Sequence, residues 1–317
     1  MKKLKKEIRI LLTLFVVLNI SAYFSCSNDS QTLQNSNVKT NINSETKTKD
    51  EPKVEEDSDK KDIKKKDEIK NEEELKIEEE IEEPVVEAPY EIPDDRPRKT
   101  LSSNELSGIS DIISSLTQDT VIKITGEIGD NELNQLMTAI DNSNFKIDLD
   151  LTDSDTECFR FNFAPVSNLR SISFPKTMNL LDEEGLKGCK DLKSITVDNI
   201  NPYYSDTNGI LFNFDKTSLI CFPAGKTGLY KIPNMTVYIN NGAFYNSKEL
   251  QSVIVPATVE NIGSKAFEGC DKLKSLIFEH ESWKYQNTEW IEKTLSDPKE
   301  NAKYFTTTLS SYSWKKR

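Results

Sequence analysis

Two local patterns in this sequence have the residue types of sites that bind phosphate or metal ions. Gly225-Lys226-Thr227 matches the end of a phosphate-binding loop, but that loop also needs a glycine five residues earlier, where this chain has Ile220. The tripeptide is therefore predicted to be a turn. Five carboxylates crowd together as calcium ligands do: Asp148, Asp150, Asp153, Asp155 and Glu157. Counted from Asp153, position twelve of an EF-hand loop is Ala164 and not glutamate, so we predict no metal site; a weak, exposed divalent site is the alternative.

The residues needed for nucleophilic catalysis are equally scarce. His280 is the only histidine, so a single base is available to activate a serine or cysteine. It lies between Glu279 and Glu281, with no serine or cysteine motif around it. No local pair of carboxylates has the pattern of a glycosidase site. The sequence thus predicts no catalytic residues, no enzyme activity and no cofactor, and it directs attention to binding.

The N-terminal residues predict export and attachment to a membrane. Four lysines in Met1–Glu7 precede an apolar run from Ile8 to Phe24, which is typical of a secretory signal (residues 1–25) and short for a transmembrane helix. Cys26 follows at the expected cleavage point, and the segment resembles a bacterial lipoprotein signal in which this cysteine carries the lipid. Tyr23 stands where such signals commonly have leucine, a relaxed form similar to those of spirochaetes. An uncleaved signal anchor is the alternative.

The charge of the chain excludes one class of partner and marks a spacer. A net charge of −12 argues against sequence-independent binding to nucleic acid. Residues 49–83 hold 17 acidic and 9 basic side chains, a net of −8, and almost no aromatic ones. Such a stretch cannot bury enough apolar surface to offset its chain entropy. We therefore predict that residues 26–100 form an extended, charged linker between the membrane and the folded part.

An internal repeat defines the folded part. Four segments share the pattern Leu-x-Ser-φ-x-φ, in which φ is apolar, and they begin at Leu169, Leu192, Leu250 and Leu273. The first two segments, and also the last two, start 23 residues apart. The first, fourth and sixth residues of the pattern are predicted to face the core from a short strand, and the others to face solvent. Stacking one coil on the next would bury the apolar residues and align the strands in a parallel sheet with a continuous outer face.

Spaced motif residues mark the most complete coil: Val255-Pro256, Ile262-Gly263, Ala266-Phe267, Gly269-Cys270 and Leu273. This order resembles the BspA-like leucine-rich-repeat family. The coil from Ile232 to Leu250 is similar to it, and residues 204–223 look like a longer coil of the same family. The resemblance implies an α/β fold, namely a leucine-rich-repeat solenoid with a parallel β-sheet over residues 159–280.

The same resemblance implies a role for two cysteines. Cys189 and Cys270 stand at the Gly-Cys position of their coils, where a small apolar side chain packs, and a free buried cysteine behaves as such a side chain. We therefore expect structural thiols at both positions. Whether Cys158 pairs with Cys221 is left open by the sequence.

Repeat proteins need caps over their terminal apolar faces. The spacing of apolar residues predicts helices over residues 104–116 and 131–140 and strands over 121–124 and 146–151, which together form an α/β N-terminal cap at residues 101–158. Residues 281–317 are predicted to form a C-terminal cap that is rich in aromatic side chains: Trp283, Tyr285, Trp290, Tyr304, Phe305 and Trp314. A carbohydrate-binding platform is the alternative role for these aromatics.

The outward positions of the repeat strands predict a binding surface. The second position reads Arg170, Lys193, Gln251 and Lys274, with Lys231 of the intervening coil nearby, and the fifth reads Ser173, Thr196, Ile254 and Ile277. A basic row that grades into an apolar edge is suited to docking an acidic or glycan-bearing partner. The alternative is that these side chains only keep an exposed sheet soluble.

The family resemblance implies adhesion to host matrix proteins and cells, or co-aggregation between bacteria. We therefore expect an exported interaction module, anchored by the lipid on Cys26 at the outer-membrane surface. Its partner is expected to be a host matrix or surface protein, a glycan, or another bacterial surface protein. A periplasm-facing lipoprotein that organises envelope components is the alternative.

Overall fold

The computed structural model describes residues 89–159 and 165–317, so the signal, Cys26 and most of the predicted linker lie outside the described residues. The strands are β1 (Arg98–Ser102), β2 (Thr120–Thr125), β3 (Ile147–Asp150), β4 (Cys158–Phe159), β5 (Leu169–Phe174), β6 (Leu180–Leu181), β7 (Ser194–Val197), β8 (Tyr204–Thr207), β9 (Ile210–Asn213), β10 (Ser218–Cys221), β11 (Gly228–Lys231), β12 (Tyr238–Ile239), β13 (Leu250–Val255), β14 (Asn261–Ile262), β15 (Ser275–Phe278), β16 (Ser282–Gln286), β17 (Trp290–Thr294) and β18 (Trp314–Lys316). The α-helices are α1 (Ile109–Ser114), α2 (Asp130–Asp141) and α3 (Pro298–Lys303), joined by 3-10 helices at Ser103–Gly108 and Glu183–Gly185 and a π-helix at Tyr304–Thr308. Among the helices in these described ranges, none has the length and apolar character that crossing a bilayer requires.

The repeat strands pair in parallel at the predicted step. β1, β2, β3, β5 and β7 form a five-stranded sheet in that order, and β11, β13 and β15 form a three-stranded sheet. Every neighbouring pair in both sheets is parallel. Ser171 lies opposite Ser194, and Ser252 lies opposite Ser275, so residues 23 positions apart are direct neighbours. The prediction of parallel repeat strands is confirmed.

The later parts of the coils form two further sheets: β4 and β6 pair in parallel in a two-stranded sheet, and the later coils contribute to a larger one. This sheet has eight strands in the order β17-β16-β18-β14-β12-β10-β9-β8, of which β10, β12 and β14 are parallel neighbours and the rest pair antiparallel. Between the sheets, Phe244 stacks on Phe267 with 4.6 Å between ring centroids. These two rings occupy the same position in successive coils, and their contact shows how one coil buries the apolar side of the next.

The expectation of one continuous parallel sheet is wrong, because the longer coil separates β7 from β11. The edge of β7 that would receive the next strand is already occupied: the Ile195 N–H donates to Gly209 O at 2.9 Å, and Leu192 O accepts from Gly225 N at 2.8 Å. Gly209 has φ = 72°, and a Cβ added there would lie 2.4 Å from the Ser194 hydroxyl. A glycine is therefore required for this approach.

Strand β9 of the longer coil also divides the core into two clusters. Leu211 packs into the cluster that extends from Leu101 to Cys221, whereas Ile210 and Phe212 pack into the cluster that extends to Trp314. These three side chains of β9 are buried, on alternating sides of the strand as its two-residue period requires. Strand β9 therefore separates the two clusters and contributes apolar side chains to both.

The elements predicted for the N-terminal segment are present. The first 3-10 helix and α1 together cover the first predicted helix, and α2, β2 and β3 match the other three. Strand β1 was not predicted, and it adds to the sheet beside β2, with Leu101 opposite Ile124. The predicted end of the linker at residue 100 therefore lies inside a strand, and the folded part begins earlier.

Residues 90–96 lie across β3 and bury a carboxylate. Asp148 faces away from the main core but is fully buried. It forms an ion pair with Arg96 and accepts a hydrogen bond from the Tyr90 hydroxyl at 3.4 Å, and both partners belong to the segment that covers it. The Ser171 hydroxyl donates to its other oxygen at 2.7 Å. A buried carboxylate depends on such partners, since an unpaired charge in this environment is strongly unfavourable.

Replacing Arg96 with methionine should lower the free energy of unfolding by about 3–5 kcal/mol, because Asp148 would stay buried without its ion-pair partner. The matched control is Arg317→Met, which removes an exposed ion pair with Glu292 (N–O distance 2.8 Å). That change should cost less than about 1 kcal/mol. Urea unfolding followed by circular dichroism measures both values, and equal small losses would contradict the role given to residues 90–96.

Candidate binding surface

The register of the strands decides which predicted surface residues share a row. Lys231 lies opposite Ile254, and Ile254 lies opposite Ile277, so these three form one row across β11, β13 and β15. Lys231 was predicted to lie near the basic second-position row. The ladder between β11 and β13 shifts by one residue at Gly228, and this shift moves Lys231 into line with the fifth position. The third-position serines, expected to face solvent, are instead largely buried between their neighbours, as in Ser252.

The charges on the five-stranded sheet are largely paired within the chain. Arg170 forms an ion pair with Asp119, and only 14% of its side chain is exposed. Burial alone would raise the pKa of Asp119, but hydrogen bonds from Arg170 and from the Lys146 backbone hold that pKa below its ordinary value. Lys123 lies 2.7 Å from Asp153. This face therefore has few cations to offer a partner.

The fifth-position row of the five-stranded sheet is polar as well as internally bonded. The Thr196 hydroxyl donates to the Ser173 hydroxyl at 2.8 Å. Lys193, at the second position of its repeat and just before β7, is exposed and has no ion-pair partner among the residues that the structure describes. Arg170 and Lys193 thus lie on a different sheet from the other predicted site residues.

The three-stranded sheet presents a different surface. Ile254 and Ile277 are half-buried neighbours on its outward face, and Gln251 and Lys274 are exposed beside them. Lys231 ends the row and lies 3.5 Å from Glu279. In the described ranges, neither Lys274 nor Gln251 has a side-chain partner. An apolar strip bordered by unpaired polar groups is thus confined to these three strands, and five of the seven predicted surface residues lie here.

A model of the BspA type leucine-rich repeat region matches the chain in six copies, over residues 127–208 and 220–295. The chain belongs to the BspA-type leucine-rich-repeat proteins. The first BspA-type range begins before α2 and so takes in α2 and β3, which the repeat pattern in the sequence did not reveal. The gap between the two ranges falls on the longer coil, around β9.

Three solved structures are similar to this BspA-type chain. They are the pneumococcal vaccine antigen PcpA (24% identity, 51% of this chain and 42% of that one, TM-score 0.42), a leucine-rich-repeat protein from Eubacterium ventriosum (19%, 58% and 66%, 0.33), and a leucine-rich cell surface protein from Faecalibacterium prausnitzii (15%, 57% and 64%, 0.33). This chain spans less than two thirds of each of them. No curated protein matches it.

The two ion-site patterns have structural roles in the BspA-type coils. The predicted turn at Gly225 is present, and a Cβ there would lie 2.8 Å from the backbone of Asp191, so the glycine allows close packing against the previous coil. In the acidic cluster, Asp148 pairs with Arg96, and Asp150 and Asp153 pair with Lys123. Within the described residues, no group of three or more histidine, cysteine or carboxylate side chains is arranged to hold a metal ion.

A groove on the eight-stranded sheet was not predicted as a surface of its own. It has a volume of about 550 Å³ and is lined by Glu184, Ser218, Tyr238, Ile239, Asn240, Asn241, Asn261, Ile262, Gly263, Trp290, Ser313, Trp314 and Lys315. Tyr238 and Trp290 are the exposed aromatic residues in this set. The only sequence signal was the aromatic C-terminal segment, which drew attention to Trp290 but not to Tyr238.

The cysteines at the Gly-Cys position are buried thiols, as predicted. Cys189 donates to Gly185 O at 3.3 Å and Cys270 donates to Phe244 O at 3.0 Å. Burial raises the pKa of each to about 12. Cys158 is a half-buried free thiol, so the pairing with Cys221 that the sequence left open does not form.

Iodoacetamide should alkylate Cys158 in the folded chain and leave Cys189 and Cys270 unmodified. The reagent reacts with the thiolate, and a pKa of about 12 keeps both of these buried thiols protonated. Peptide mass spectrometry after brief labelling at mildly alkaline pH measures each site. The same labelling in concentrated urea is the control, and it should modify all three. Equal rates at the three sites in the folded chain would contradict the buried positions.

Proposed function

We propose that this chain is a cell-surface protein-interaction module that binds through the outward face of β11, β13 and β15. One observation carries the proposal: Ile254 and Ile277 form a half-buried apolar strip next to Lys274 and Gln251, which have no partner in the described part of the chain. Apolar contact area bordered by polar groups is the arrangement of protein–protein interfaces. The module is a binding protein, without a catalytic role of its own.

The partner class follows from the charges on this face. Among the described residues beside the strip, Lys274 is the unpaired cation, since Lys231 lies 3.5 Å from Glu279, and the whole chain carries a net charge of −12. An unpaired cation at the border of an apolar strip favours an acidic group on the partner, and the net negative charge of the chain disfavours nucleic acid. We therefore propose a host matrix or surface protein, or another bacterial surface protein, with an acidic rim around an apolar contact. An adhesin is the role that fits these partners.

The terminal segments would act as caps that restrict binding to the sheet face. The buried Asn301 supports this, because its amide donates to Leu276 O of β15 at 3.1 Å and so covers the outer edge of the three-stranded sheet. Phe305 and Trp314 stack with centroids 4.6 Å apart and close the apolar end of the last coil. An uncovered end would offer an edge to other chains. These contacts support a C-terminal cap at residues 281–317.

The anchor would be a lipid on Cys26, and the charged linker would hold the module away from the membrane. Both segments lie outside the described residues, so the support is the sequence pattern of residues 1–26 and the net charge of −8 in residues 49–83. A flexible linker of this length reaches on the order of 40–50 Å, and its self-repulsion extends that distance. Such a reach suits display beyond an outer membrane.

The binding face is tested by placing charge on the apolar strip. Ile254→Asp together with Ile277→Asp should lower binding of the chain to an immobilised mixture of host extracellular-matrix proteins by about tenfold or more, because two half-buried contacts are lost. The matched control is Ser173→Asp with Thr196→Asp, the same repeat positions on the five-stranded sheet. Circular dichroism verifies that both variants fold. Equal binding by the two variants would refute the assignment of this face.

The location is tested by protease treatment of intact cells, with a periplasmic protein as the integrity control. Selective loss of the folded part is expected, since the exposed linker would be cleaved first. Cys26→Ala should release the chain from the membrane fraction, because the lipid attachment site is lost. Full protection from protease would instead support a periplasm-facing lipoprotein that organises the envelope.

A further inference from the structure

The groove on the eight-stranded sheet has the features of a second binding site. Tyr238 lies opposite Asn261, which lies opposite Lys315, so one outward row crosses β12, β14 and β18. The residues that follow or precede them in these strands, such as Ile262 and Trp314, are buried in the core. The groove thus has a rigid floor of paired strands, and its outward side chains are fixed by the register.

Two exposed aromatic rings flank this floor. Tyr238 is 45% exposed and Trp290 is 46% exposed, whereas Trp283 and Trp314 are each 1% exposed. Burial of the other C-terminal aromatics agrees with a role in the core, so Trp290 stands apart from them. The Lys284 ammonium lies 5.2 Å from the centre of the Trp290 ring, which is a cation–π contact.

The floor between the rings carries amide groups that are available for hydrogen bonds. In the described ranges, the side-chain amides of Asn240 and Asn261 have no partner. Asn241 accepts from the Ser264 N–H at 2.9 Å and keeps its NH₂ group for another acceptor. Gly263 lets its coil pack closely against the preceding one at this floor, because a Cβ there would lie 2.4 Å from the Asn241 backbone nitrogen.

The charge of the groove argues against an ionic ligand. Glu184 is already paired with Lys187 at 2.6 Å, and Lys315 is the one cation among the residues that line the groove. A phosphate or sulfate ligand calls for a cluster of cations or arginine forks. A peptide strand would add to a free sheet edge, whereas Trp290 is the one lining residue on an edge strand of this sheet and the others lie on or beside inner strands, apart from Glu184. Both classes fit poorly.

We propose that this groove binds a short, neutral oligosaccharide. A pyranose ring has an apolar C–H face and a rim of hydroxyl groups, so it needs an aromatic ring to stack on and neutral groups that both donate and accept. Tyr238 and Trp290 provide the rings, and the side chains of Asn240 and Asn261 provide the amides, each with two donors and an acceptor. The site lies on a different sheet from the strip of Ile254 and Ile277, so either site can fail without the other.

Intrinsic fluorescence provides the first test, since Trp290 is the exposed tryptophan and the other two are buried. Chitotriose, cellotriose and maltotriose are titrated separately into the chain. A saturable change in Trp290 emission with at least one of them is expected. If the emission does not change up to about 10 mM trisaccharide, any binding is weaker than that of a millimolar complex. That result would overturn the proposal.

Calorimetry with the responding trisaccharide provides the second test. Tyr238→Ala and Asn261→Ala should each weaken its binding about tenfold, since each removes a stacking or hydrogen-bonding partner. The matched control is Phe214→Ala, because Phe214 is 59% exposed but does not line the groove. Equal weakening by the control, or unchanged binding by Tyr238→Ala and Asn261→Ala, would overturn the assignment of the sugar to this groove.

Discussion

A coil of this chain can bury its apolar side only against the next coil, and the rest of the structure depends on this constraint. Ile172 lies opposite Ile195, and Val253 lies opposite Leu276, so the partner of a core residue is found 23 positions along the chain. The same step applies to the residues that face away from the core. Outward side chains must therefore fall into rows, and the chemistry of a row is decided by one position of the repeat.

The longer coil meets the constraint in a different way, and this limits the binding surface. β9 has apolar residues on both sides, Leu211 towards one cluster and Phe212 towards the other, so it replaces the contact that a repeat strand would have made. The consequence is that β7 and β11 are not paired, and the outward rows stop there. An outward surface that could have crossed every parallel strand is therefore limited to the three strands β11, β13 and β15 after the longer coil.

Features that repeat could be predicted from the sequence, whereas features that depend on a single distant contact could not. The strand that begins at Leu250 carries both the two-residue alternation and the 23-residue step, so two independent signals agree. β1 has neither signal, because Arg98, Lys99 and Thr100 are polar and Leu101 is its one buried residue. The exposed rows were predictable as residue types, but their composition was not. To predict which residues share a row, one would have had to know of the register shift at Gly228.

Trp290 is one of several large apolar side chains in the described residues that core packing leaves exposed; Ile200, Phe214, Met235 and Ile291 are others. After the exposed Ile291, two later residues of β17 are engaged: Glu292 pairs with Arg317 at 2.8 Å, and the Lys293 ammonium lies 4.0 Å from the centre of the Tyr304 ring. Charged side chains on an edge strand protect it from pairing with other chains. An exposed tryptophan has the opposite effect, since it adds apolar surface to the edge. Trp290 differs from the exposed Phe214 and Ile291 in that it lines the groove together with Tyr238, where its ring is available to stack on the ligand that we propose.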